Sequence, residues 1–279
     1  MKCAWNAFLS ILPPRLRMEV ERLGKDTLEE LHLRLNQPVE LILGGFSHLL
    51  KTKANAEDIQ YVVNTASRYS PWAAATASQG YITAPGGHRI GLCGDCVVQA
   101  GLVTGIRQAS SLCIRVARSF EGIGQNAPRH GSVLILGPPG VGKTTLLRDM
   151  IRLRSNAGMA TAVVDERGEL FPAGDVFEPG PRTDVLTGCS KAQGVQMALR
   201  TMGPKCIAVD EITASEDCQA LMSAGWCGVE LLATAHAANC EDLRKRPVYR
   251  PLAQSGLFEH AIILGRDKSW RMERMESCT

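Results

Sequence analysis

The segment Gly137-Pro138-Pro139-Gly140-Val141-Gly142-Lys143-Thr144, followed by Thr145, constrains this chain more than any other feature. Its spacing, Gly-x4-Gly-Lys-Thr, belongs to a loop that leads from a buried strand into a helix. Both flanks fit: Ser132 to Leu136 is an apolar run, and Lys143 to Arg154 reads as a helix. Glycines let successive backbone N–H groups turn inward, and a helix N-terminus adds partial positive charge, so the loop can cradle phosphates. Lys143 is expected to reach the β- and γ-phosphates of ATP, and Thr144 to place its hydroxyl on Mg²⁺.

The residues around this loop alternate in the way such a core requires. Apolar runs at Ala160 to Val164, Cys206 to Val209 and Glu230 to Ala233 are interleaved with helical stretches at Lys191 to Met202 and Ser215 to Ala224. Runs this continuously apolar are buried on both faces, which implies a mostly parallel sheet covered by helices. His260 to Leu264 adds one more strand, and the final residues read as a frayed or partner-dependent end. Residues 28 to 120 are different, with short alternating runs such as Leu31 to Leu35, Val39 to Leu43 and Ser111 to Val116 between Gly-rich turns. The expected organisation is therefore a smaller α+β N-terminal domain over 1–120, a Gly/Asn/Pro-rich linker over 121–131, and an α/β nucleotide-binding domain over 132–279.

In a parallel sheet the C-terminal ends of all strands lie along one edge. Three groups of chemistry-bearing residues fall at such ends. Asp210 is expected to support Mg²⁺, and Glu211 to orient the attacking water as a base. Asp165-Glu166 forms a second acidic strand end, with Glu166 as an alternative base, and His236 after the next strand is placed to sense the γ-phosphate. Arg89, Arg107, Arg115, Arg182 and Arg200 are candidates for phosphate contacts, some of them from a neighbouring subunit.

Composition bounds the partners. With 279 residues and 45% hydrophobic content the chain can build two cores, and a formal charge of +3 is too small to argue for a nucleic-acid partner. No stretch approaches the roughly 18 to 20 apolar residues of a membrane-spanning helix. Ala4 to Leu12 reads as a short amphipathic helix rather than a signal peptide, so the ten cysteines are expected to be reduced. Cys93-Gly-Asp-Cys96 supplies at most half of a tetrahedral zinc site, and His88, the available third ligand, is read as a buried structural residue.

An ordered set of segments resembles the stage III sporulation protein AA family, itself similar to the ATPases of type II and type IV secretion and pilus systems. The set comprises Leu28 to Pro38, Gly86 to Gly91, Ser111 to Arg118, the phosphate loop through Asp149, Val164 to Glu169, Arg182 to Leu186, Val209 to Ile212 and Thr234 to His236. The resemblance implies a RecA-like P-loop core in a cytoplasmic homo-oligomer, a hexamer, peripheral to the inner membrane. It implies docking on an inner-membrane channel or platform protein on the mother-cell side, where ATP hydrolysis would energise a channel or its assembly. Glu166 falls in that group's acidic box, Asp210 and Glu211 in its Walker B position, and His236 in its histidine box. Two positions depart from the pattern: His32 stands where an arginine is expected and Thr213 where a glycine is.

Two rival readings stay in view. A RecA-like nucleic-acid motor would need a nucleic-acid-binding surface, and the best basic cluster, Arg244-Lys245-Arg246 with Arg250, has only Tyr249 beside it and reads as a solvated face. A small-molecule kinase would need an arginine-bearing lid and an acceptor pocket, and neither is recognisable.

Overall fold

A computed structural model of the chain describes residues 2–68, 80–172 and 177–275. These form two compact units, one made of Lys2–Arg118 with Pro172, the other of Ser119–Phe171 and the chain from Phe177 onward.

The N-terminal unit begins with α1 (Trp5–Ile11) and α2 (Pro14–Gly24), with Pro14 in the first turn where its missing N–H costs nothing. There follow β1 (Leu28–Arg34), β2 (Pro38–Leu43), β3 (Phe46–Lys53), α3 (Ala56–Arg68), β4 (Tyr81–Thr83), β5 (Arg89–Gln99) and β6 (Leu102–Arg115). They make a six-stranded sheet of order β3-β2-β1-β6-β5-β4, antiparallel at every pairing. Alternate residues Leu31, Leu33, Leu41, Ile90, Leu112 and Ile114 are buried, and pack in one cluster with Phe8, Ile11, Leu16 and Val20 of the helices. One face is thus core, and the other carries the intervening polar residues. His88 lies within this unit as a buried structural residue: its Nδ1 accepts from the Ala117 N–H at 3.1 Å and its Nε2 faces the Ala4 carbonyl at 3.1 Å. Burial pushes its pKa down to about 4. Cys93 and Cys96 are exposed on β5.

The second unit holds β7 (Val133–Leu136), α4 (Lys143–Asn156), β8 (Thr161–Asp165), β9 (Thr183–Thr187), α5 (Lys191–Thr201), β10 (Cys206–Val209), α6 (Ser215–Trp226) and β11 (Glu230–Ala235). After these come α7 (Cys240–Lys245), α8 (Arg250–Gln254), β12 (His260–Leu264) and β13 (Trp270–Arg274). The sheet order is β13-β12-β7-β11-β10-β8-β9, parallel except for β13. Every residue of β7, β8 and β10 is buried, as strands covered on both faces require. This is the RecA-like P-loop fold. The expectation of a frayed end does not hold for Trp270–Arg274, which pairs with β12 over its full length as the edge strand; the last four residues of that expectation, 276–279, lie outside the described residues. Residues 121–131 form neither helix nor strand, yet they are tied to α4, since Gly124 N–H donates to Asp149 at 2.8 Å and Arg154 donates to the carbonyl of Gly131 at 2.7 Å.

The sheet order decides where the chemistry gathers. β7, which delivers the phosphate loop, does not pair with β10, which delivers Asp210 and Glu211; β11 lies between them. The residues at the end of β11 therefore stand between loop and acids.

Candidate active site

The loop leaves β7 through Gly137, whose added Cβ would sit 2.9 Å from Val141 and 3.1 Å from the Leu264 carbonyl. Gly140 (φ 78°) and Gly142 (φ 104°) take the left-handed conformation that side chains resist, and nothing lies within 4 Å of where their Cβ atoms would be. These two positions are uncrowded, as backbone that must approach a phosphate closely requires. Gly142 precedes the first turn of α4.

Lys143 is buried, with Nζ 2.9 Å from the Gly137 carbonyl, 2.8 Å from that of Pro138 and 3.0 Å from Nδ1 of His236. Burial lowers its pKa, while Asp210 and Glu211 act in the opposite direction. An ammonium can only donate, so His236 accepts at Nδ1 and carries its proton on Nε2, which faces Glu211 Oε1 at 3.2 Å. The imidazole thus joins the loop lysine to the carboxylate of Glu211.

A second chain of bonds runs beside the first. Thr144 Oγ1 donates to Asp210 Oδ2 at 2.7 Å, and Asp210 Oδ1 accepts from Thr234 Oγ1 at 2.6 Å. Thr234 in turn accepts the N–H of Glu211 at 2.7 Å. Glu211 has φ 53°, an unusual conformation for a residue with a Cβ that costs about 1 to 3 kcal/mol. The bond to Thr234 holds that turn, and the carboxylate also meets Arg167 at 3.3 Å.

The second acidic strand end divides its tasks. Asp165 is buried and accepts from the N–H groups of Glu169, Leu170 and Phe171 at 2.8 to 2.9 Å, while burial still pushes its pKa up to about 6. Arg148 grips the same loop from α4, donating to the carbonyls of Leu170 and Glu169 and lying 4.3 Å over the Phe177 ring; burial lowers its pKa to about 10. Asp165 and Arg148 are therefore the loop's anchors. Glu166, left at the surface of that loop, is paired at 2.5 Å with Lys191, the first residue of α5. Lys191 is buried and also 4.0 Å from Asp217, which accepts the N–H groups of Thr213 and Ala214. That cap holds the loop after Glu211, at the position where Thr213 replaces the expected glycine.

The structure thus brings Lys143, Thr144, Asp210, Glu211 and His236 into one bonded set, and places Glu166 in the pocket lined by Val164, Asp165, Arg167, Lys191 and Glu211. Within this unit, the two candidate arginines lie away from that set. Arg182 precedes β9 and bonds to Ser155 in the last turn of α4 and to Gly158 just past it, and Arg200 lies in the last turn of α5, so both sit at the opposite edge of the sheet from the loop. Arg115 pairs with Glu30, Arg89 covers the Tyr81 ring, and Arg107 lies on β6, all in the N-terminal unit. In the Arg244-Lys245-Arg246 cluster, Lys245 and Arg246 are exposed and paired to Glu241 and Asp242, while Arg244 is half-buried.

Sequence reasoning missed Thr234, Lys191, Arg167 and Asp217. Only Thr234 carried a signal, as a hydroxyl within the apolar run Leu231-Leu-Ala-Thr-Ala, where it is 0% exposed.

Known proteins are similar to this chain over most of its length. Residues 6–273 match the family described as "Sporulation stage III, protein AA". Stage III sporulation protein AA of Bacillus subtilis (strain 168) is 36% identical over 283 residues, covering 94% of this chain and 92% of that protein. Among solved structures, the ATPase DotB of Legionella pneumophila superposes with a TM-score of 0.59 at 18% identity, covering 93% of this chain and 78% of DotB. The pilus retraction motor PilT with bound ADP gives a TM-score of 0.60 at 18% identity, over 89% of this chain and 76% of PilT. These two likenesses speak for the fold.

Proposed function

Because the chain belongs to the sporulation stage III protein AA family, we propose that it hydrolyses ATP as a ring-forming motor of the type II and type IV secretion kind, energising a transmembrane channel of sporulation or its assembly. The observation that carries this reading is the connection Lys143–His236–Glu211 across the strand between phosphate loop and acids. It links the group that would meet the γ-phosphate to the group that would hold the attacking water.

The loop N–H groups and Lys143 would bind the triphosphate, Lys143 exchanging its carbonyl partners for phosphate oxygens. Mg²⁺ fits the donor set of Thr144 hydroxyl and Asp210 carboxylate, both hard oxygens, and when bound it supplies charge neutralisation at the β- and γ-phosphates. Glu211 would orient water in line with the γ-phosphorus and accept its proton as the new P–O bond forms. The bond to the β-phosphate oxygen breaks, and its electron pair leaves with ADP. His236, losing or regaining Lys143 as a partner, would report the state of the γ-phosphate to the rest of the subunit. Glu166 would serve as the alternative base only after release from Lys191.

None of the described helices is long and apolar enough to cross a membrane, so this reading routes membrane attachment through a partner protein. It places six copies in a ring at the mother-cell side of the inner membrane. The test is ATP turnover with mass by light scattering, for wild type and Glu211→Gln, with and without single-stranded nucleic acid. Assembly toward six subunits with nucleotide, turnover lost in the variant and indifference to nucleic acid are the expected results. Turnover at the wild-type rate in Glu211→Gln removes that residue as the base, and strong stimulation by single strands replaces this reading with a nucleic-acid motor.

A further inference from the structure

β1 and β6 are antiparallel neighbours, with His32 directly opposite Cys113 and Glu30 opposite Arg115. Side chains alternate along a strand, so Glu30, His32 and Cys113 share the face turned away from the core residues Leu31, Leu33, Leu112 and Ile114. Their donor atoms converge. His32 Nε2 lies 3.1 Å from Glu30 Oε2, and Cys113 Sγ lies 3.7 Å from that oxygen and 4.0 Å from that nitrogen. Zinc bonds of about 2.0 to 2.3 Å at tetrahedral angles set ligand atoms roughly 3.3 to 3.6 Å apart. Three edges of such a tetrahedron are already close to length.

The surroundings orient the three donors toward one another. Arg115 Nε lies 3.2 Å from Oε1 of Glu30, which holds the carboxylate with its other oxygen toward His32 and Cys113, the orienting task that outer partners perform for metal ligands. On β5 the residue directly opposite Cys113 is Gly91, which has no side chain to lay over the thiol. Glu40, opposite His32 on β2, is engaged by Arg34 and Ser47 and stays out of the group. The His32 side chain is 18% exposed and that of Glu30 32%, so the fourth coordination position faces solvent.

We propose that Glu30, His32 and Cys113 form a binding site for a zinc-class divalent cation on the N-terminal unit, independent of the nucleotide site. A thiolate and an imidazole select such ions over Mg²⁺, which prefers oxygen. The Cys113 thiol gives its proton to solvent as the metal–sulfur bond forms, and water completes the fourth position. His32 is one of the two departures from the family pattern, so the site is a property of this chain rather than one the resemblance supplies.

The test uses the full chain, reduced and stripped with chelator, titrated with Co²⁺ and then Zn²⁺. One equivalent of Co²⁺ is expected to give a thiolate-to-cobalt charge-transfer band that Zn²⁺ abolishes and excess Mg²⁺ leaves in place. Cys113→Ser should lose the band, His32→Gln should weaken binding about tenfold or more, and the double variant Cys93→Ser/Cys96→Ser should keep it. Melting of each variant in chelator separates metal loss from misfolding. Should Cys113→Ser fail to fold, protection of Cys113 from iodoacetamide by Zn²⁺ in the wild type, read by mass spectrometry, tests the same ligand, and alkylation at an unchanged rate counts against it. No cobalt band in the wild type, a band that survives Cys113→Ser, or one that vanishes with Cys93 and Cys96 would overturn the proposal.

Discussion

Thr234 is a small side chain with two obligations: it donates to Asp210 and accepts from the backbone of Glu211. Thr234→Val keeps the shape and removes both bonds, leaving a part-buried carboxylate oxygen and an N–H unsatisfied, at about 1 to 3 kcal/mol. The larger effect falls on the geometry at Glu211, whose positive φ that bond holds; a displaced base costs on the order of 100-fold in rate. We expect Thr234→Val to lose turnover to that extent while nucleotide affinity, carried by the loop, stays near wild type. Unchanged single-turnover rates would show that the Asp210–Thr234–Glu211 linkage does not position the base. At this scale the sequence was legible where the chemistry is local. Gly137 to Thr144 is contiguous, and Asp210, Glu211 and His236 each end an apolar run. It was illegible where partners are brought together by topology. Nothing near Lys191 says that it will neutralise Glu166, and nothing near Thr213 says that Asp217 will cap it.

Among the elements, α5 shows how tightly helix and sheet must meet for the rim to form. A Cβ on Gly194 would come 2.3 Å from Cγ1 of Val164 and 3.0 Å from the Cys189 sulfur, so the glycine lets α5 lie directly on β8. That contact puts Lys191, one turn earlier, against Glu166. Gly194→Ala gains about 1 kcal/mol of helix propensity, but overpacking a core costs about 1 to 3 kcal/mol, so the clash should win. The expected outcome is a stability lower by up to about 2 kcal/mol, read as a lower denaturant midpoint at unchanged slope, with α5 pushed off β8; a stabilised variant would mean that Val164 turns aside without cost. The five buried strands β7, β8, β10, β11 and β12 could be read directly, because burial on both faces leaves runs such as Val133-Leu-Ile-Leu136 and Cys206-Ile-Ala-Val209. The two edge strands could not be read that way. β9 is Thr-Asp-Val-Leu-Thr and β13 is Trp-Arg-Met-Glu-Arg, because an edge strand has one neighbour and keeps polar side chains for solvent. The first was visible only as part of the family resemblance, and the second fell within the stretch expected to be a frayed or partner-dependent end.

For the whole molecule, two separate cores imply that different conditions act on different halves. His88, in the N-terminal unit, has its pKa lowered from 6.5 to about 4 by burial. A base whose folded pKa is depressed contributes stability above its unfolded value and loses it as pH falls toward the folded one, here about 2 kcal/mol between pH 6.5 and 5. Nucleotide acts on the other unit, raising its stability by about 2.7 kcal/mol at a hundred times the dissociation constant. We therefore expect calorimetry to resolve a transition that falls with acid and another that rises with ADP and Mg²⁺, with His88→Gln flattening the acid response of the first alone. A single transition moved equally by both would contradict this independence. The placement of β11 between β7 and β10 has a further consequence, for the order in which the chain is made. Both hydrogen-bonded neighbours of β7, β11 and β12, come later, and β7 meets the nearer, β11, by pairing Val133 with Leu232. At ribosomal speeds of roughly 5 to 20 residues per second, an uninterrupted apolar strand waits about 5 to 20 s with both edges bare, which makes nascent Val133–Leu136 the segment most in need of a chaperone's shelter.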